Sequence, residues 1–157
     1  MKIRVLFIGK TTPTFMAEGV DLYLNRLKHY CSIEIEVVPD VKRTPNLNPQ
    51  KLAELEAKLF LKRIKPIDHV VLLDENGMLQ DSVKMSNSLE KWMGTGTVNP
   101  VLVVGGAYGF DDSMRERANS IWSLSPMTFS HQLARLVLME QLYRSFTIIK
   151  GEPYHHK

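Results

Sequence analysis

VLVVGGAYG, residues 101–109, is an apolar run that ends in glycines. Four apolar residues in succession, with no polar position between them, read as a strand buried on both faces, as in the middle of a parallel sheet. The glycines that follow stop the strand at a turn where main chain, rather than side chains, can approach a ligand. A second stretch, SLSPMTFSHQLAR at residues 123–135, places a short mixed loop directly before a long helix. The two stretches read as two walls of one small-molecule site.

Outward from this strand, strand-like and helix-like segments alternate. Residues 2–8 are rich in Ile, Val and Phe and end at Gly9. Residues 15–30 carry Val20, Leu24 and Leu27 at amphipathic helical spacing. Residues 33–38 alternate apolar positions with Glu34 and Glu36, the pattern of a half-exposed strand near a sheet edge. A helix is expected over 51–64, a strand over 69–73 closed by the turn-prone residues 74–77, and a helix over 81–92. After the strand at 101–104, a helix is expected over 112–122, capped by Asp111 or Asp112.

This alternation predicts an α/β fold, a mostly parallel sheet with helices on both faces, formed as a single domain over residues 1–157. Ligands of such sheets bind beyond the carboxyl ends of the strands, which here means Leu73, Gly105 and the loop from Ser125 to Phe129. The last helix, residues 131–146, is apolar nearly all round, so it packs on more than one side. A second copy of the chain is the expected cover, giving a homodimer.

Composition narrows the class further. The chain is 44% hydrophobic, yet its longest apolar runs fall far short of the roughly 20 residues a membrane span needs. With no signal-peptide pattern after Met1, a soluble cytoplasmic protein without membrane partners is expected. Cys31 is the only cysteine, which excludes an intrachain disulfide and reads as a small half-buried apolar residue. A formal charge of +3 and a pI near 9.0 permit a polyanionic partner without requiring one. Lys42 and Arg43 lie in a proline-punctuated loop, and Arg135, Arg144, Lys150 and Lys157 gather late in the chain.

The glycines at 105, 106 and 109 lack dinucleotide-fingerprint spacing, and there is no P-loop lysine motif, so ordinary NAD and ATP sites are disfavoured. No serine sits in a nucleophile elbow. His155 and His156, adjacent near the end of the chain, lack the spaced partners of a metal site, and no metal is expected.

Taken in order and spacing, Gly105-Gly106-x-x-Gly109, Leu124-Ser-x-Met-Thr-Phe129, His131-x-x-x-Arg135, Glu140-x-Leu-Tyr-Arg144 and Pro153-Tyr-His155 closely resemble the bacterial ribosomal RNA large-subunit methyltransferase H family of the SPOUT class. The resemblance covers the whole chain. It implies a trefoil-knotted fold, an obligate homodimer, and transfer of a methyl group from S-adenosylmethionine to N3 of a pseudouridine in 23S ribosomal RNA; the small positive charge of the chain makes the assembled ribosome, rather than a short free RNA, the expected substrate. By match to the family, Leu73, Gly105, Leu124, Ser125, Pro126, Met127, Thr128 and Phe129 hold the methyl donor. Under that resemblance, His131 is suited by its ordinary pKa of about 6.5 to proton transfer, with capping or packing of its helix as the alternative; Arg135, one turn later on the same face, is expected to stabilise a pyrimidine anion or hold a phosphate, and Tyr154 and His155 to contact the target base.

One departure stands out. The family usually has proline before the histidine, where this chain has Ser130, a residue able to cap the helix that proline would otherwise start. His156 also lengthens the usual tail. Two other readings compete: a non-catalytic ribosome-binding module of the same fold, which would bind RNA without the methyl donor, and a small-molecule α/β enzyme with His131 as base. Cofactor affinity separates the first, and the absence of a labelled methyl group in ribosomal RNA would favour the second.

Overall fold

The computed structural model describes residues 1–156. Strand β4 (Asn99–Val104) lies at the centre of a five-stranded sheet. It is flanked by β1 (Lys2–Ile8) on one side and β3 (Asp68–Leu79) on the other, with β2 (Ser32–Val38) and β5 (Ser120–Ser123) at the edges. Every pairing is parallel, in the order β2-β1-β4-β3-β5. Parallel neighbours need crossovers, and the helices supply them.

Side chains alternate across the sheet, so each strand feeds two cores. Leu102 and Val104 of β4, with Val5 and Phe7 of β1 and Val71 of β3, pack under α1 (Thr14–Leu27), α3 (Ser82–Thr95) and α5 (His131–Ile149). Val101 and Val103, with Leu6, Ile8, Val70 and Leu72, face α2 (Pro49–Leu61) and α4 (Asp112–Arg117) on the opposite side. Burial of a Val or Leu side chain contributes roughly 1.5–3 kcal/mol, so these doubly covered strands anchor the fold. β2, with its alternating glutamates, is the edge strand its pattern implied.

Helix starts are set by side-chain caps. Asn48 accepts from the Lys51 amide at 2.8 Å, Asp81 from Lys84 at 2.7 Å and Asp111 from Met114 at 3.0 Å. Ser130 caps α5 through the Leu133 amide at 3.2 Å, so serine performs the terminal role proposed for it. No helix among the described residues is long and apolar enough to cross a membrane.

Two elements differ from the sequence expectations. The expected helix over 112–122 ends at Arg117, because Ala118 leaves helical geometry at φ −66° and ψ 140°, and Ser120–Ser123 form β5. The strand expected to stop at Leu73 continues through residues 74–77 to Leu79, with a register shift against β5 between Leu73 and Met78. Gly77 makes that passage possible. A Cβ there would stand 2.6 Å from the Ile121 carbonyl carbon, so only glycine lets this segment lie against the β5 backbone.

Candidate methyl-donor and RNA site

At the carboxyl ends of β3, β4 and β5, three loops enclose a cavity of about 610 Å³. This lies within the roughly 300–1,000 Å³ range of small-molecule sites. Leu73 ends the buried part of β3, Gly105 follows β4, and Leu124, Ser125, Met127, Thr128 and Phe129 form the segment between β5 and α5. His131, on the first turn of α5, closes one side. Seven of the eight residues matched to donor binding therefore share one cavity; Pro126 does not line it and is exposed.

Backbone dominates the glycine wall. A side chain at Gly105 would press on the Phe110 ring at 3.1 Å, and one at Gly106 would meet the Glu56 carboxylate at 2.5 Å. Glycine at both positions lets the main chain pack against Phe110 and Glu56 while it lines the cavity, and main-chain donors and acceptors suit the edge of a heterocycle. Leu73, Leu124, Met127 and Phe129 supply apolar surface, and Met127 is 72% exposed, available to fold over an occupant. These residues fit an adenosyl group: apolar contact for its faces and main chain for its polar edge.

Sequence reading missed the acidic side of the cavity. Asp74, Glu75 and Asn76 line it, as do Tyr108, Phe110 and Arg115. Arg115 donates to Asp74 at 2.7 Å, neutralising that carboxylate. Glu75 accepts from the Thr128 hydroxyl at 2.5 Å, joining the β3 extension to the loop before α5. Glu75 makes no ion pair among the described residues, so it remains available to a cationic ligand. The sequence places the loop after Leu73 at the ligand end, but a turn-prone polar run does not single out Asp74, Glu75 or Asn76 as parts of the wall.

His131 is half-buried, and its basicity is held below the ordinary histidine range, first by burial and next by the nearby Arg135 charge. It is therefore neutral at physiological pH, in the form able to accept a proton.

Arg135 stands elsewhere than expected. The i, i+4 spacing puts it on the same face of α5 as His131, but its side chain is fully buried under the sheet end and does not line the cavity. Its guanidinium donates to the Ile8 carbonyl at 2.5 Å, the Gly9 carbonyl at 2.9 Å and the Thr11 hydroxyl at 3.1 Å, and lies 4.8 Å from the centre of the Phe7 ring. Burial lowers its pKa to about 10, which still leaves it charged at neutral pH. This geometry fastens the loop after β1 and keeps the guanidinium away from a pyrimidine anion or a phosphate at the cavity; its Nε has no partner but is itself buried.

Tyr154 and His155 lie along α5 rather than at the cavity. Tyr154 donates to Glu140 at 3.1 Å, packs edge-on against Tyr143 and lies under the Arg144 guanidinium at 4.7 Å; His155 Nδ1 is 3.4 Å from Arg144 Nη1. Glu140 is nine residues beyond His131, or roughly 13 Å along the helix at 1.5 Å per residue. Within one chain, the tail and the cavity are separate.

Comparison with known proteins shows the family to which the chain belongs. A family model described as a predicted SPOUT methyltransferase matches residues 1–155. The chain is 46% identical to a protein of Parabacteroides distasonis named ribosomal RNA large subunit methyltransferase H, over all 157 residues and the full length of both. Proteins of the same name from Porphyromonas gingivalis and Bacteroides fragilis are 45% and 39% identical over the same complete span. Among solved structures, a probable methyltransferase from Bordetella pertussis superposes with a TM-score of 0.56 at 13% identity, over 92% of this chain and 95% of the other, a likeness of fold. With its parallel sheet, strand-end cavity and full-length relatives, the chain belongs to the ribosomal RNA large-subunit methyltransferase H family of SPOUT methyltransferases.

Proposed function

We propose that this protein is an S-adenosylmethionine-dependent methyltransferase acting on N3 of a pseudouridine in 23S ribosomal RNA, in the cytoplasm and on assembled ribosomes. The observation that carries the reading is the convergence of Leu73, Gly105 and residues 124–129 on one cavity beside His131. The names of its full-length relatives support ribosomal RNA as substrate. The family resemblance of its tail motif supports the choice of nucleotide.

When bound, S-adenosylmethionine supplies a methyl group already activated by a sulfonium. Leu73, Met127 and Phe129 would hold its apolar faces, the Gly105 and Gly106 main chain its polar edge, and Glu75 its cationic part. The chain's own contribution is chiefly positioning, together with the loss of the N3 proton. Neutral His131, which lines the cavity, would accept that proton at an imidazole nitrogen. Arg135 acts by holding the Ile8–Gly9 main chain beside it.

A homodimer is part of the proposal. The separation of Tyr154 and His155 from their own cavity supports a tail that serves the partner's cavity, and the half-buried Leu133 and Val137 on α5 support a subunit contact. The trefoil knot is likewise proposed; its support is the β3 extension lying, at Gly77, against β5, the strand from which the chain runs on into α5.

The test is mass spectrometry of 23S RNA from cells lacking the gene, before and after restoring it, and after treating their ribosomes with purified protein and labelled S-adenosylmethionine. One pseudouridine should gain a methyl group on restoration and in vitro. No changed nucleotide would refute the reading.

A further inference from the structure

Beside the cavity lies a second, open depression of about 850 Å³ across the carboxyl ends of β1 and β2, and His131 lines both. Lys10, Thr12, Asp40, Arg43 and Gln132 also face it. From these features we propose that the depression seats the RNA strand, with Lys10 and Arg43 on its phosphates and the reactive base turned toward His131. The inference rests on the methyltransferase reading and names the substrate side of the same site.

Charge is the first support. Lys10 and Arg43 are both exposed, and neither makes an ion pair among the described residues. With Asp40 the single carboxylate in the lining, the two cations leave the depression net positive, and an open positive surface suits a through-running polyanion better than a small enclosed ligand.

Rigidity is the second. Five hydrogen bonds from α5 fix the main chain and the Thr11 hydroxyl between residues 8 and 12. Gln132 accepts from the Thr12 amide at 3.0 Å and donates to the Lys10 carbonyl at 3.1 Å, while Arg135 holds Ile8, Gly9 and Thr11 from beneath. A connecting loop has no need of such fixing, whereas a binding surface gains from being ordered in advance. Arg135 is thus a positioning residue: it sets the floor on which Lys10 is displayed.

Placement is the third. The two hollows share His131 as a common border, so a nucleotide in one and a methyl donor in the other would meet beside its imidazole, which takes the N3 proton as N3 attacks the methyl carbon and the thioether leaves.

The test uses the full-length protein with Lys10→Ala and Arg43→Ala combined, and with Lys84→Ala and Lys91→Ala on α3 as a charge-matched control. Ribosomes come from a strain lacking the gene. The double variant should bind them at least tenfold more weakly in filter binding, with the salt dependence of log affinity shallower by about 1–2. Its KM for ribosomes should rise while kcat changes less than threefold, and calorimetry should show S-adenosylmethionine affinity within twofold of wild type. Photocrosslinkers at positions 10 and 43 should capture 23S RNA.

Unchanged ribosome affinity and salt slope, crosslinks only to ribosomal protein, or an equal effect of the α3 control would overturn the inference. So would a selective loss of cofactor affinity. If the wild type binds ribosomes through Lys10 and Arg43 but transfers no methyl group, the strand-binding inference stands and the enzymatic reading falls.

Discussion

Arg135 donates to the carbonyl oxygen of Gly9 at 2.9 Å, across 126 positions of sequence. The bond, with its companion to Ile8, ties the final helix to the end of the first strand and satisfies two main-chain carbonyls in a buried place. Arg135→Leu leaves those carbonyls unpaired and should lower stability by about 3 kcal/mol, read from urea unfolding, since each buried orphan costs roughly 1–3 kcal/mol. Arg135→Lys keeps the charge without the planar fork and should recover less than half of the loss. An unaltered urea midpoint in the leucine variant would contradict this account.

Ser130 tests whether capping or a fixed backbone angle matters more at the start of α5. Its hydroxyl caps the Leu133 amide, and its φ is −59°. Ser130→Ala should cost about 1 kcal/mol in thermal or chemical unfolding, the usual loss for an N-cap. Ser130→Pro should cost less, because the ring favours φ near −65° and restricts the unfolded chain.

Glu56 gives the protein a pH dependence on the alkaline side of the carboxylate range. Burial raises its pKa, outweighing the hydrogen bond from Gly106, so the native state retains a proton that the unfolded state has lost. Stability from this group is present below the ordinary carboxylate pKa and falls as pH rises through the raised value. Glu56→Gln should flatten that fall, and urea midpoints of wild type and variant at acid and neutral pH will show whether the curves converge at the acid end.

His131 acts with the opposite sign. Its lowered pKa means the unfolded chain binds the proton more readily, so its contribution to stability is lost as pH falls from the ordinary histidine value through the depressed one. Methyl transfer should hold its rate down to pH values below about 6.5 before declining. His131→Gln should lower kcat by about 100-fold, within the usual span for general base catalysis, and remove the acid limb of the profile.

Gly77→Ala should be among the most damaging single-methyl additions in the chain. Its new carbon would strike the Ile121 and Trp122 main chain, which cannot rotate aside as a side chain can. A loss above about 3 kcal/mol is expected, from steric strain on fixed backbone. Soluble yield and unfolding midpoint will measure it.

Much of this architecture is legible without coordinates because strand burial and helical period write themselves into residue order. The uninterrupted apolar residues 101–104 are the central strand, and Glu34 and Glu36 mark the edge. β5 escaped notice because four residues are too few to show a period, and Ile121 and Trp122 extend the apolar spacing of the preceding helix. Arg135 was misplaced for a different reason. Spacing fixes which face of a helix a residue occupies, but not that the face is turned onto the carbonyl ends of a strand. Glu75 entered the cavity wall because β3 runs on past its buried part, which only the pairing of Met78 with Trp122 reveals.

Trp92 and Trp122 are the chain's two tryptophans, and their rings lie 5.6 Å apart and within 2° of parallel. Trp92 belongs to α3 and Trp122 to β5, so this stack exists only while the shortest strand is seated next to the cavity. The molecule therefore carries its own optical reporter. Coupling between the two indoles makes circular dichroism and fluorescence sensitive to the seating of β5, without a label and without touching any residue of the site.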